Sequence, residues 1–361
     1  MRYVCEASLT APRIVGIGTA VPVHQLNQDD VRSFAHDMFA QDFTDITRLL
    51  PVFTNAGIDT RHFAEPRTWY AEPKEFVEAN SASVRHALDI AELSAQRAMQ
   101  ASGCTPQEIG SVVVVSSTGI ATPSLDAALI QRLGIAPTVH RVPVWGLGCA
   151  GGVSGLGLAG MIAQSMPDKA VLLVAVEMCS LTFQHNDRRK SNLVALSLFA
   201  DGSASVVVRM SDAEKYPAIR GRFSTLFPAT DDIMGWDLAD NGLRVRFSRD
   251  IPSFITKYLP DVVASARAEF GIAPTDECHI VAHPGGTKVL SAYTAALSAS
   301  ADDIEHSRTI MRTHGNMSSP TVLFVLKHFL EHPATHTHTQ ALVLALGPGF
   351  SAETVLLDMP Q

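Results

Sequence analysis

Three short runs without a charged residue, at 112–115, 170–176 and 341–346, set the tightest limits on what this chain can fold into. A strand that is apolar at every position, and not only at alternate ones, has to be covered on both faces. That is the situation of a parallel strand between layers of helix. Helical spacing precedes the first run: Val84, Ala87, Leu88, Ala91, Ala95, Ala98 and Met99 share one face, and Gly103 supplies the stop. The pattern predicts an α/β fold.

Further elements follow in order. Residues 13–20 predict an opening strand that ends before Pro22, and 27–50 a polar helix with Asn27 or Asp29 as its cap. Residues 198–210 predict a strand, a turn or bulge at Asp201-Gly202, and a second strand. In the second half, a helix over 253–270, interrupted near Pro260, precedes a strand at 279–282. A helix over 319–330 precedes the strand at 341–346, and Gly347-Pro348-Gly349 turns into a last strand at 351–357. The repeated strand–turn–strand shape implies an internal duplication, with halves at 1–212 and 213–361. A length of 361 residues suits two domains or one double unit, and 46% hydrophobic residues leave apolar surface for an oligomer to cover.

Composition removes several classes of function. A net charge of −8 argues against nucleic acid as a partner. The first residues lack a basic segment followed by an apolar one, and no apolar run approaches the roughly 18 residues that cross a bilayer. A soluble, cytoplasmic protein with no membrane span is expected. Five scattered cysteines without a Cys-x-x-Cys pair fit reduced thiols better than disulfides or zinc. His332, His336 and His338 lie among Thr and Pro and predict an exposed loop, so no metal is expected. Arg188, Arg189 and Lys190 predict a solvated face, and Arg61 and His62 a solvated loop.

The chemistry gathers at residues 145–152, Trp-Gly-Leu-Gly-Cys-Ala-Gly-Gly, between a short apolar run and a small-residue helix. A cysteine on such a turn sits near a helix N-terminus, whose unpaired N–H groups favour the thiolate. Small neighbours leave room for a substrate. Cys149 is therefore a candidate nucleophile, although a buried cysteine more often only packs. Residues 146–151 and 155–160 also satisfy Gly-x-Gly-x-x-Gly, but both copies lie mid-chain, and a dinucleotide site needs that pattern on the first βα turn. A cysteine nucleophile needs a proton acceptor and donors for an oxyanion. His283 ends a buried strand before Pro284-Gly285-Gly286, Asn316 stands before a helix, and Thr118 lies at a polar strand end where α/β folds place ligands.

At these residues the chain resembles the type III polyketide synthases, the chalcone synthase superfamily. The resemblance runs along most of the sequence. It is carried by residues 148–152 (Gly-Cys-Ala-Gly-Gly), 181–183 (Leu-Thr-Phe), 198–202 (Leu-Phe-Ala-Asp-Gly), 283–286 (His-Pro-Gly-Gly), 315–319 (Gly-Asn-Met-Ser-Ser) and 347–349 (Gly-Pro-Gly). Within the family, residues 149–152, 234–237 and 247–252 look most like bacterial synthases of alkylpyrones and alkylresorcinols.

The resemblance implies a thiolase fold, two βαβαβαββ halves in five αβαβα layers, and a homodimer. It implies acyl-CoA and malonyl-CoA as substrates and no cofactor. Cys149 would be a thiolate paired with protonated His283, with His283 and Asn316 as oxyanion donors. Thr118, Cys179, Thr182, Phe199, Trp236, Val245, Ser318, Gly347, Pro348 and Gly349 would meet substrate. Cys179 replaces a threonine of the plant enzymes, Trp236 a glycine and Val245 a gatekeeping phenylalanine, which reshapes the cavity. The CoA-phosphate contacts of the plant enzymes have no evident counterpart, and Arg61 stands in for them. Two other readings stay open: a ketoacyl-carrier-protein synthase, and a non-catalytic member of the same fold.

Overall fold

The computed structural model describes residues 10–360 apart from 41, 42, 44, 249, 274, 275, 298 and 300, so Cys5 and Arg249 lie outside it. The first half contains β1 (Ala11–Ala20), the small ribbon β2 (His24–Asn27) and β3 (Thr60–Phe63), β4 (Ile109–Val115), β5 (His140–Val144), β6 (Ala170–Met178) and β7 (Asp201–Ser211). Its helices are α1 (Gln28–Phe39), α2 (Pro51–Asn55), α3 (Arg67–Tyr70), α4 (Phe76–Ser102), α5 (Leu125–Arg132), α6 (Gly151–Ser165) and α7 (Lys190–Leu198). The second half contains β8 (Ala218–Leu226), the hairpin β9 (Met234–Ala239) and β10 (Gly242–Phe247), α8 (Ile251–Glu269), β11 (His279–Ala282) and α9 (Thr287–Leu297). It closes with α10 (Ala301–His314), α11 (Thr321–Leu330), β12 (Gln340–Gly347) and β13 (Ser351–Asp358).

The duplication is visible in strand order. One run reads β1-β7-β6-β4 and the other β8-β13-β12-β11, with β5 added beyond β4. In each run the first two pairings are antiparallel and the third is parallel. The two runs meet edge to edge where β1 pairs β8 at Arg13 and Ala218. The expected strand–turn–strand at 198–210 is absent: Leu198 ends α7, and Asp201-Gly202 opens the unbroken β7. Buried Asp201 accepts the N–H groups of Ala64 and Ser180 there, so the chain extends into a strand and does not turn. Pro260 does not interrupt α8, which is continuous through it.

Strand alternation divides the core into three. Val113 and Val115 face an inner layer with Val153 and Leu156 of α6 and Val322 and Val325 of α11. Val112 and Val114 face outward onto Ala91, Ala95 and Ala98 of α4. In the second run of this sheet Val343 points inward, while Leu342 and Leu344 meet Ile255 and Leu259 of α8. The layers are thus αβαβα. Each fully buried Val or Leu contributes about 1.5–3 kcal/mol, which is why these strands tolerate no charge along the run. No helix among the described residues is long and apolar enough to cross a membrane.

The N-terminus of α6 approaches the chain before α11 very closely. A Cβ added at Gly152 would lie 2.2 Å from the carbonyl oxygen of Ser319, whereas one at Gly160 would meet the Ile219 side chain at 2.9 Å. Helix propensity alone would favour alanine at Gly152 by about 1 kcal/mol. We predict that Gly152→Ala nevertheless lowers stability by about 1–3 kcal/mol through backbone collision, and by more than Gly160→Ala, measured as urea unfolding midpoints. Equal or raised stability would contradict the packing described.

Candidate active site

The turn before Cys149 is tied to the end of β4. The N–H groups of Gly146 and Gly148 donate to Ser117 Oγ at 3.1 and 3.2 Å. Gly148 has φ +47°, and a Cβ on it would meet Pro348 at 2.8 Å, so the turn requires glycine there. One 3-10 turn, Gly148–Ala150, then leads into α6, which puts Cys149 at the helix N-terminus. Gly347 lies against Ala150, where a Cβ would stand 2.9 Å from the backbone nitrogen.

Asn316 lies in the loop between α10 and α11, five residues before α11 and not at its start. Its N–H donates to Leu198 O, and the Ala200 N–H donates to Asn316 O, both at 2.9 Å, which sets Phe199 beside Asn316. Asn316 Oδ1 accepts the Ser318 N–H at 2.8 Å and faces Cys149 Sγ at 4.0 Å. With Oδ1 engaged, Nδ2 is the donor left for a ligand. Ser318 takes a left-handed φ of +61° to make this turn.

His283 extends β11, its N–H donating to Leu344 O at 2.8 Å. Its ring is buried, and neither ring nitrogen has a hydrogen-bond partner. A buried imidazole without a partner calls for an explanation, and a substrate oxygen or the thiol proton supplies one. Burial pushes the imidazole down to about 3. It also pushes the Cys149 thiol up to about 11, partly offset by the Ser318 hydroxyl. Desolvation in this geometry opposes the expected thiolate–imidazolium pair. The helix N-terminus favours the thiolate once the proton moves.

The remaining residues fall into two groups. Cys179, Thr182, Phe199, Trp236 and Val245 line one small cavity together with polar Ser180 and Asn192, with Phe199 and Trp236 ring centroids 5.9 Å apart. Cys179 is near enough to Cys149 for charge there to raise its own thiol pKa. Gly347, Pro348 and Gly349 form the β12–β13 turn, whose first two residues back the Cys149 turn. Thr118 opens on a separate, more polar cleft shared with Thr182, and its hydroxyl donates to Glu177 at 2.8 Å.

Glu177 is the residue that sequence reasoning missed. Fully buried at the end of β6, it also accepts from the Ser117 N–H and the Ser319 hydroxyl, and burial raises it to about 7. The signal available was one charge closing an otherwise apolar run. Arg61 requires a correction in the other direction. It lies on β3 and not in a loop, is fully buried, and donates to Leu196 O, Phe199 O and Gln28 Oε1. No phosphate can reach it, so it holds the end of α7. In the Arg188–Lys190 cluster, Arg188 donates to Met38 O and Arg189 clasps Asp187, so two of its residues secure a loop.

Comparison with known proteins agrees with this architecture. The family model for chalcone and stilbene synthases, N-terminal domain, matches residues 4–212, and that for the C-terminal domain matches 219–360. A putative chalcone synthase of Bacillus subtilis is 38% identical over 357 residues, 96% of this chain and 98% of the relative. A 1,3,6,8-tetrahydroxynaphthalene synthase of Streptomyces peucetius is 37% identical, over 95% of this chain and 92% of its own. The crystal structure of the Streptomyces coelicolor 1,3,6,8-tetrahydroxynaphthalene synthase superposes with a TM-score of 0.91 at 26% identity, covering 97% of this chain and 99% of that one. The expected thiolase fold holds.

If the His283 ring accepts the Cys149 proton, its loss leaves desolvation of the thiolate unopposed. We predict that alkylation of Cys149 by iodoacetamide in His283→Ala shifts to higher pH by about one unit or more relative to the parent, since a raised thiol pKa means less thiolate at any given pH. Superimposable pH profiles would remove His283 from that role.

Proposed function

We propose, for a chain that belongs to the chalcone and stilbene synthase family and is a type III polyketide synthase, that it loads a medium- or long-chain fatty acyl group and releases alkylpyrone or alkylresorcinol products. The observation that carries this reading is a line of mostly apolar space. The cavity at Cys179 shares Phe63, Tyr70 and Leu196 with a second cavity, which Leu26, Val31 and Phe34 line together with Asp30 and Arg67. Both are narrow, and displacement of the Leu196 side chain joins them. An alkyl chain fits the apolar side chains that make up most of this lining.

The chemistry assigned to the site runs as follows. Cys149 passes its proton to His283 and attacks the acyl-CoA carbonyl, releasing CoA as the thiol and leaving the acyl group on sulfur. His283 and Asn316 Nδ2 donate to the developing oxyanion. Malonyl-CoA then loses CO₂, and the same donors hold the resulting acetyl-CoA enolate. The enolate carbon attacks the acyl–Cys149 thioester, forming a carbon–carbon bond and freeing the cysteine sulfur. Transfer of the longer chain back to Cys149 begins another round. Phe199 flanks the reacting centre, and Thr118, Thr182, Trp236, Val245, Ser318 and residues 347–349 shape the space around the chain. The half at 1–212 supplies the nucleophile, the half at 213–361 supplies both donors, and the working unit is a homodimer.

A compact, malonyl-primed aromatic product is the second reading. Phe199 and Trp236 nearly fill the space beside Cys179, which favours a short chain. Incubation with malonyl-CoA and acyl-CoA starters of increasing length, with products analysed by mass, separates the two. Pyrones or resorcinols carrying the starter's alkyl group support the first. A product built from malonyl units alone, whatever starter is offered, overturns it.

Two variants follow. Cys149→Ala abolishes condensation but retains malonyl-CoA decarboxylation, whereas Asn316→Ala loses both by about 100-fold or more, read as product and as CO₂ release. Leu196→Trp lowers kcat/KM for long starters relative to short ones by about tenfold, because it closes the passage between the cavities. An unchanged starter profile in Leu196→Trp would dismiss the proposed path.

A further inference from the structure

Histidines converge at a second place, at the open end of the α10–α11 hairpin. His306 lies in α10, His328 in α11 and His332 just past its end. Each offers one ring nitrogen, and these nitrogens all lie within 4.8 Å of one another. His306 Nδ1 and His328 Nδ1 stand 2.8 Å apart. The rings of His328 and His332 stack with centroids 4.2 Å apart. From these residues we infer that His306, His328 and His332 bind a divalent late transition ion of the zinc kind.

Three imidazoles are a ligand set for zinc or copper and a poor one for magnesium or calcium, which take oxygen. His332 Nδ1 lies 2.6 Å from the carbonyl oxygen of His328. A carbonyl only accepts, so Nδ1 carries the proton and Nε2 keeps the lone pair, the arrangement by which backbone carbonyls orient metal-bound histidines. Ring nitrogens around tetrahedral zinc stand about 3.3 Å apart; His306 and His328 approach to 2.8 Å, and none of the three nitrogens lies farther than 4.8 Å from another. His306 is held in the packed layer with its ring edge-on to Phe329, while His332 is exposed at the surface. Glu331 and Glu305 act on His328 in the sense that favours a cation, and Lys327 acts against it.

The site is distinct from the His332, His336 and His338 group seen in sequence, because two of its members come from helices. His336 instead packs on Phe329, and His338 lies beside His279. The turn of the same hairpin, residues 315–320, carries Asn316. A metal bound here fastens the two helix ends remote from that turn.

The test uses full-length protein without a polyhistidine tag, stripped with EDTA and titrated with Zn²⁺ calorimetrically. The expected result is about one zinc per chain, with affinity at least tenfold weaker in His332→Gln and in His328→Gln and unchanged in His338→Gln. A rise of a few degrees in the thermal midpoint with zinc should be present in the parent and lost in His332→Gln. His332 is exposed, so that variant tests the site without threatening the fold. No zinc uptake by the parent, or identical uptake by His332→Gln (as binding to the cysteines would give), overturns the inference.

Discussion

Everything at the site depends on how closely two segments from opposite halves of the chain approach. Gly152, in the first turn of α6, lies against the carbonyl of Ser319, and Gly347, at the end of β12, lies against Ala150. A side chain at either position would push the halves apart. The separation this would undo is the 4.0 Å between Cys149 Sγ and Asn316 Oδ1. The small residues after Cys149 therefore do two jobs: they leave the sulfur accessible and let α6 serve as the inner layer shared by both runs of the sheet.

Around that contact the structure buries polar groups under two regimes. Glu177, Asp201 and Arg61 are buried and hydrogen-bonded, each holding backbone or hydroxyl groups of segments that border the site. They fix geometry. His283 is buried without such partners, and Asn316 has its Oδ1 engaged by the Ser318 N–H, which leaves Nδ2 as its donor toward a ligand. Rigid surroundings with unsatisfied donors at the centre suit stabilisation of a charge that develops only during reaction, because little reorganisation is then needed. The raised thiol and lowered imidazole are the electrostatic cost of the same burial.

The runs at 112–115, 170–176 and 341–346 were legible as buried strands because the inner and outer layers both demand apolar side chains, so no face could be polar. His283 was legible because it ends the buried strand β11, and Cys149 because it sits on a small-residue turn between β5, a half-exposed edge strand, and a helix. Arg61 was misread because a charged residue among polar neighbours resembles a loop, and only the tertiary placement of α7 provides the carbonyls that satisfy it. Asp201-Gly202 was misread as a turn because the local residue preference is real, but two N–H groups from distant segments outweigh it. Glu177 was marked locally only as one charge closing an apolar run, and its partners Ser117 and Ser319, like the meeting of the histidines of α10 and α11, depend on contacts between residues far apart in sequence.

The central claim is that an acyl group travels on Cys149. The most direct measurement is mass analysis of proteolytic peptides after brief exposure of the enzyme to a fatty acyl-CoA in the absence of malonyl-CoA. The account predicts that the peptide containing Cys149 gains the mass of the acyl group in place of one hydrogen, and that subsequent malonyl-CoA removes the label. Label confined to another cysteine, or a Cys149 peptide of unchanged mass while product still forms, would contradict it.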